Sequence, residues 1–194
     1  PNGIAKPQFC EPKEITEKYG IEKEGYILFL ARLVPEKGAH TLMEAYAKSD
    51  LRLPLVIAGG GSHSGDYEKD IKEQAERINR IEGKQVVLTG FIQGRALEEM
   101  YSNALIYVLP SEIEGMPLSL LEAMSYGNIP NKLVCFNIFE EDSAELKVTN
   151  CDSTADIGGM HVNYLADAMN LISRYNRKNP FTFKTISDIP EWFK

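Results

Sequence analysis

The sequence predicts a single three-layer α/β domain with a mainly parallel sheet. Short, continuous apolar runs such as residues 26–31 are typical of strands buried on both faces. These runs alternate with amphipathic segments of helical period, such as residues 66–81. Strands that alternate with helices of this length form a parallel sheet with helices on both faces. The 194 residues are enough for one domain with a hydrophobic core.

Glycine and proline mark the ends of several predicted elements. Gly83 stops the charged helix at 66–81, and Pro110 ends the fourth strand. The helix at 117–126 has proline at its first position and glycine just after its end. The predicted strands are 26–31, 53–58, 85–88, 105–109 and 132–136, and the predicted helices are 38–49, 66–81, 95–103, 117–126 and 163–175.

The ends of the chain differ in character from its middle. Residues 1–24 contain three prolines, many charges and little periodicity, and are interpreted as an interdomain linker or lead-in. Residues 25–176 are the predicted domain, and residues 177–194 a polar tail. Because the chain opens on the turn tripeptide Pro1-Asn2-Gly3, we expect it to be a piece of a longer protein.

Composition excludes several classes of function. A net charge of −7 disfavours a nucleic-acid partner, which would require a basic excess. Three cysteines without CxxC spacing suit reduced thiols in a cytosolic protein, so we expect a cytoplasmic location. The chain has no DxD triplet and only three widely spaced histidines, so no metal is expected. No apolar run reaches the roughly 18–20 residues of a membrane span.

Ligands of parallel α/β sheets bind beyond the carboxyl ends of the strands, and the loop at 110–117 is the most informative one there. Gly115 lets the backbone approach a ligand, and the helix opened by Pro117 offers free N–H groups to an anion. Glu122 lies inside that helix among apolar residues. A buried carboxylate needs hydrogen-bond donors, which ribose hydroxyls would supply. For Glu122 and for Glu114 the alternative is a solvated surface carboxylate.

Two further loops hold candidate groups. Arg32 and Lys37 follow the first strand, where arginine can grip a phosphate bidentately and lysine acts as a mobile point charge. The alternative for both residues is that they are ordinary solvated surface cations with no ligand. The loop at 59–65 has neither the GxGxxG spacing of a dinucleotide site nor a Walker A lysine. Its glycines, Gly60 among them, either let the backbone approach a ligand or form a simple flexible turn.

Together these segments resemble the C-terminal, donor-binding domain of retaining glycosyltransferase family 4, the glycosyl transferases group 1. Glu114 and Glu122, with seven residues between them, match the paired glutamates of that family. Residues 1–4 are similar to its interdomain linker, and after Gly127 the match is loose. The matching text is FLARLVPEKG at 29–38, VIAGGG at 56–61, LTGF at 88–91, and VLPS continuing to LLEAM at 108–124.

The resemblance implies a Rossmann-like α/β/α domain, one half of a two-domain GT-B fold, and a role for each matching residue. Arg32 and Lys37 would bind the nucleotide diphosphate, Glu122 the ribose hydroxyls, and Glu114 the donor sugar. With the two cations, Glu114 forms the implied catalytic set. The backbone around Met116, Leu118 and Ser119 would contact phosphate or sugar oxygens, and Gly90 and Phe91 would lie beside the base. Gly115 and Gly60 complete the candidate binding residues, as glycines at which the backbone can approach the ligand.

The predicted function is therefore binding of a UDP- or GDP-sugar for metal-independent, retaining transfer by a hexosyltransferase. The isolated chain is expected to be inactive, because the N-terminal acceptor-binding domain is missing. Any peripheral membrane association would occur through that half only. Two alternatives stay open: a non-catalytic nucleotide-binding or interaction module, and a nicotinamide-dependent oxidoreductase domain.

Overall fold

The computed structural model describes residues 4–61, 65–111 and 117–126, together with the backbone of strands at 133–140, 143–150 and 153–158. The strands are β1 Ile27–Leu30, β2 Leu55–Ala58, β3 Val86–Gly90, β4 Ile106–Ser111, β5 Leu133–Glu140, β6 Ser143–Asn150 and β7 Ser153–Gly158. The helices are α1 Glu14–Tyr19, α2 Ala39–Lys48, α3 Gly65–Ile78, α4 Arg95–Asn103 and α5 Leu118–Tyr126, with a 3₁₀ turn at Pro35–Lys37.

These strands form one sheet in the order β3-β2-β1-β4-β5-β6-β7. The pairs β1–β2, β2–β3, β1–β4 and β4–β5 are parallel, and β5–β6 and β6–β7 are antiparallel. The mainly parallel α/β prediction is therefore confirmed. After β3 the chain crosses to the other side of β1 to form β4. The strand order thus reverses between β1 and β4, and ligands of open α/β sheets bind at such a switch point.

Continuous apolar runs form the centre of the sheet, as predicted. Every residue of β2 is buried, and three of the four residues of β1 are buried. Each large aliphatic side chain buried in this way contributes about 1.5–3 kcal/mol to stability.

In the described part of the chain, no helix combines the length and the apolar composition needed to cross a membrane.

The end of the sheet beyond β4 was only partly predicted. The fifth strand was expected at 132–136 and extends to Glu140. Strands β6 and β7 were not predicted, because their polar sequences lack the continuous apolar run of a strand buried on both faces. The predicted helix at 163–175 and the tail at 177–194 lie outside the described residues.

The predicted lead-in at 1–24 contains α1, whose six residues are too few to show a helical period in sequence. Ile15 of this helix and Ile21 after it are fully buried, or nearly so, in the core. Part of this range therefore packs into the domain. Its position as an interdomain segment stays a prediction.

A buried carboxylate on α4 holds the start of α1. Glu99 is fully buried, and its Oε2 accepts hydrogen bonds from the backbone N–H groups of Lys13, at 2.9 Å, and Ile15, at 3.1 Å. The Nε of Arg95 donates to Oε1 at 3.0 Å. The first amides of a helix have no partner within the helix, so a carboxylate from another element satisfies them. Glu99 thus connects α1 to the domain.

A buried cation has the matching role at the end of α2. The Nζ of Lys84 donates to the carbonyl oxygens of Tyr46 at 2.8 Å, Ser49 at 2.6 Å and Leu51 at 2.9 Å. These carbonyls belong to the last turn of α2 and to the residues just after it, where the helix dipole favours positive charge. Burial lowers the pKa of Lys84, and nearby Arg52 lowers it further.

We predict that Glu99→Gln destabilises the fold at neutral pH and much less in acid. Burial alone would raise the pKa of Glu99, but the N–H groups of Lys13 and Ile15, with Arg95, outweigh it and hold the pKa below its ordinary value. A carboxylate whose pKa is lowered by folding stabilises the fold above its unfolded pKa, and this contribution is lost as pH falls through the folded pKa. We expect a loss of about 1–3 kcal/mol at neutral pH.

Chemical denaturation of parent and variant at about pH 7 and at about pH 2–3, well below the ordinary pKa of a glutamate, measures this difference. Glu98→Gln, one residue earlier on the same helix, is the matched control and should change stability little at either pH. A Glu99→Gln deficit that is equally large at both pH values would contradict the assignment.

Candidate functional site

The carboxyl ends of β1, β2 and β3 surround a cleft of ≈ 310 Å³. Its walls are residues 30–32 after β1, residues 58–60 after β2, residues 91–93 after β3, and Leu97 of α4. Arg32 supplies the charged side chain of this lining, and the remainder is mostly apolar or glycine backbone. Such a lining suits a flat, largely apolar ligand group with an anion at one end.

Gly59 makes the wall between β1 and β2 possible. Its φ is 152°, and a Cβ added there would lie 1.9 Å from the carbonyl oxygen of Ala31. The two strand ends are also tied by a hydrogen bond from Leu33 N to the carbonyl of Gly60, at 3.3 Å. Gly59 therefore lets two backbones approach each other. Sequence analysis considered only a ligand or a flexible turn as reasons for these glycines, and at Gly59 the structure adds the close approach of two strand ends. Approach of this backbone to a ligand stays a prediction.

A second glycine fixes the loop that carries the two cations. Gly38 has φ 71°, and a Cβ there would lie 2.1 Å from the carbonyl oxygen of Pro110. The start of α2 is thus pressed against the end of β4. As a result, the loop after β1 lies beside the end of β4.

The structure separates the roles of the two predicted cations. Arg32 is exposed and forms part of the cleft wall. Lys37 is half-buried, ends the 3₁₀ turn, and does not line the cleft. Both belong to the same loop, but Arg32 alone of the two faces the cleft described here.

Glu122 of α5 is half-buried and has a donor within the protein. The hydroxyl of Tyr101 donates to Glu122 Oε2 at 2.9 Å and lies 3.2 Å from the carbonyl oxygen of Ser119. Sequence analysis assigned the donors of this carboxylate to ribose hydroxyls and missed Tyr101. In the sequence, Tyr101 aligns with Leu97 and Met100 on one face of the predicted helix, a pattern that indicates a core residue.

A second tyrosine connects α5 to the cleft. The hydroxyl of Tyr107 on β4 donates to the carbonyl of Leu30 at 3.1 Å and lies 3.0 Å from Ser119 Oγ. Leu30 lines the cleft, and Ser119 lies in the first turn of α5. Glu122 itself does not line the cleft and lies one turn further along the same helix. Through the hydroxyls of Tyr107 and Ser119, the start of α5 lies beside the end of β1.

The aromatic rings around Tyr101 hold it in place. Tyr101 is 3% exposed, stacks on Tyr126 with ring centroids 5.4 Å apart, and lies 6.2 Å from the ring of Tyr107. Burial raises the pKa of Tyr101 well above its ordinary value, and nearby Tyr107 and Glu122 raise it further. The hydroxyl therefore keeps its proton at neutral pH and acts as a donor to Glu122.

The other predicted site residues lie in the cleft, at the end of β3 or at the start of α5, or fall outside the described residues. Gly60 and Phe91 line the cleft, where Phe91 is 74% exposed. Gly90 ends β3, and its carbonyl accepts a hydrogen bond from Gly59 N at 3.0 Å. Leu118 and Ser119 form the first turn of α5, with Leu118 46% exposed. Glu114, Gly115 and Met116 lie outside the described residues.

Besides Gly59, the predicted site residues did not include six others that line the cleft: Leu30, Ala31, Ala58, Ile92, Gln93 and Leu97. Leu97 had been assigned to the apolar face of its helix, and an isolated glutamine in a loop carries no sequence signal. Among the described residues, no group of three or more His, Cys, Asp or Glu side chains is placed to hold a metal ion. Independence of a metal stays a prediction.

Comparison with known proteins assigns the chain to a family. The model of the family described as glycosyl transferases group 1 matches residues 12–130, more than half of the chain. The chain belongs to the glycosyl transferases group 1. The family prediction from sequence is therefore confirmed.

Two curated relatives carry the names of sugar transferases. The chain is 30% identical over 136 residues to the O-antigen chain mannosyltransferase B of Escherichia coli, covering 68% of this chain and 33% of that protein. It is 32% identical over 115 residues to an alpha-D-kanosaminyltransferase of Streptomyces kanamyceticus, covering 58% and 28%. This group 1 chain thus spans about a third of the length of these relatives.

Solved structures support the fold. An Anabaena protein, Alr3699/HepE, solved with UDP and glucose, matches with a TM-score of 0.60 and 18% identity, over 85% of this chain and 43% of that one. The catalytic domain of cholesterol-alpha-glucosyltransferase from Helicobacter pylori matches with a TM-score of 0.54 and 19% identity, over 79% and 89%. At such identities the likeness shows the fold alone, and it confirms the Rossmann-like prediction.

We predict that Gly59→Ala strongly destabilises the fold of this group 1 domain and that Gly60→Ala changes its stability little. A Cβ at Gly59 meets the Ala31 carbonyl in a backbone conformation that favours glycine, so we expect a loss of about 2–4 kcal/mol. A Cβ at Gly60 would lie 3.5 Å from the Cβ of Phe91, an ordinary contact. That substitution should cost less than about 1 kcal/mol.

Urea denaturation of the two variants measures both values, and the neighbouring glycine serves as the matched control. Equal stabilities of the two variants would show that the close approach at Gly59 does not hold the strand ends together.

Proposed function

We propose that this group 1 domain binds the nucleoside diphosphate part of a UDP- or GDP-sugar, as the C-terminal donor-binding half of a retaining family 4 transferase. The observation that carries the proposal is the cleft at the carboxyl ends of the central strands, apolar along its walls with Arg32 in its rim. Nucleotides combine a flat base with a charged diphosphate, and the cleft offers a surface for each.

The base belongs between the segments at 58–60 and 91–93. Phe91 is largely exposed there, and an aromatic face is suited to stacking on a base. Gly60 lies next to Phe91 in the wall, and its backbone can approach the ligand closely. The lining thus fits a flat ring and does not distinguish uracil from guanine.

The diphosphate belongs at the rim, near Arg32 and the first turn of α5. The guanidinium can bind two phosphate oxygens at once, and a helix N-terminus favours negative charge. Lys37, on the same loop, adds positive charge at longer range. As the bond to the sugar breaks, negative charge builds on the diphosphate, and these fixed positive groups stabilise it.

The ribose belongs beside Glu122, on the α5 side of the rim. Its carboxylate accepts hydrogen bonds, and the vicinal hydroxyls of a ribose donate them. The contact of Glu114 with the donor sugar belongs to the proposal on the strength of the family resemblance alone.

The relatives' names are consistent with this proposal. A mannosyltransferase and a kanosaminyltransferase move sugars, and the Anabaena structure was solved with UDP. This chain covers about a third of the two curated relatives, so we propose that transfer requires an acceptor-binding domain in the whole protein. A site shielded from water between two domains would bring acceptor and donor together.

We predict that the chain binds UDP or GDP more tightly than uridine or guanosine, in the presence of excess chelator. Replacement of both Arg32 and Lys37 by alanine should remove about 10- to 100-fold of that preference, because charge-assisted hydrogen bonds to phosphate are lost. Arg32→Ala should account for more of the loss than Lys37→Ala, since Arg32 lines the cleft. Titration calorimetry measures each affinity.

Lys48→Ala is the control, because it also removes a cation but lies at the far end of α2, where Lys48 pairs with Glu44. It should leave the preference for the diphosphate unchanged. A double variant that distinguishes UDP from uridine as well as the parent does would rule out the proposed phosphate site. Binding that disappears with chelator would overturn metal independence.

A further inference from the structure

We infer that Tyr101 is a positioning residue for nucleotide binding, which fixes the carboxylate of Glu122 so that it selects ligands with free ribose hydroxyls. The inference rests on the proposed function, because it requires that Glu122 meets the ribose. Its structural basis is the 2.9 Å hydrogen bond from the Tyr101 hydroxyl to Glu122 Oε2.

The single proton of the Tyr101 hydroxyl has two acceptors in reach. Glu122 Oε2 lies at 2.9 Å and the carbonyl oxygen of Ser119 at 3.2 Å. A charged acceptor at the shorter distance forms the stronger bond, so the proton goes to the carboxylate. Ser119 lies in the first turn of α5, so the Tyr101 hydroxyl lies beside that turn. Tyr101 thus defines where one carboxylate oxygen lies relative to that turn.

A carboxylate fixed in this way can still accept hydrogen bonds from a ligand. Its two oxygens offer about four lone-pair sites, and a single hydroxyl uses one of them. Two neighbouring ribose hydroxyls are both donors and can share the remaining sites. Without Tyr101, the Glu122 side chain would regain rotamer freedom, and binding would have to restrict it again.

Tyr101 is suited to this role because it is itself immobile. It is 3% exposed, and its ring stacks on that of Tyr126 with an interplanar angle of 19°. The rings of Tyr101 and Tyr107 are also neighbours, at 6.2 Å. A buried, ring-packed donor sets the orientation of its acceptor more firmly than a side chain in solvent does.

The experiment compares two ligands that differ only in the ribose hydroxyls. Titration calorimetry on the 194-residue chain measures affinity for UDP and for 2′,3′-dideoxy-UDP, and the same pair is measured with guanine as the base. The variants are Tyr101→Phe, Glu122→Ala and, as matched control, Tyr126→Phe. Tyr126 stacks on Tyr101, but its hydroxyl accepts from Gln8 N, so its removal leaves the bond to Glu122 intact.

We expect the parent to prefer the ribonucleotide. Tyr101→Phe should reduce that preference about tenfold while affinity for the dideoxy nucleotide stays unchanged, because only the contact through Glu122 is weakened. Tyr126→Phe should keep the full preference. Tyr101→Phe retains the ring and its stacking, and thermal denaturation verifies that each variant is folded.

The contrary outcomes separate the inference from the function on which it rests. If Glu122→Ala abolishes the ribose preference and Tyr101→Phe retains it, the positioning role is overturned and the proposed function stands. Equal losses for both nucleotides in Tyr101→Phe would show a purely structural role and overturn the inference as well. A parent that binds neither nucleotide, or a Glu122→Ala variant with full ribose preference, contradicts the proposed ribose site and the inference with it.

Discussion

The carboxyl end of β1 is the point on which the rest of the site depends. β2 reaches it through Gly59, whose missing side chain admits the Ala31 carbonyl. β4 reaches it through Tyr107, whose hydroxyl donates to the carbonyl of Leu30. These contacts converge on residues 30–31, immediately before Arg32. The orientation of the arginine relative to the cleft and to α5 follows from them.

Buried charges at helix ends hold the surrounding frame. Glu99 binds the first amides of α1, and Lys84 binds carbonyls in and just after the last turn of α2. Burying a charge is costly unless hydrogen bonds satisfy it, and both groups have several. Each therefore joins elements that are distant in sequence and specifies how they pack.

Sequence analysis identified what depends on local pattern. The continuous apolar runs of β1 to β4 and the amphipathic helices between them gave a fold that the structure confirms, and the motifs around Arg32 and Glu122 gave a family that the comparisons confirm. Contacts between distant segments left no such pattern. Tyr101 occupies an apolar helix face and was assigned to the core, although its hydroxyl meets Glu122. Gly59 was assigned to a ligand or a turn, because its neighbour Ala31 is identifiable only once the strands pair.

A crystal structure of the chain with UDP tests the central claim most directly. We predict the base in the cleft against Phe91, the diphosphate within hydrogen-bond distance of Arg32, and the ribose hydroxyls on Glu122 while Tyr101 keeps its bond to Oε2. A nucleotide bound elsewhere on the domain, or one in the cleft with its ribose away from Glu122, would contradict the account.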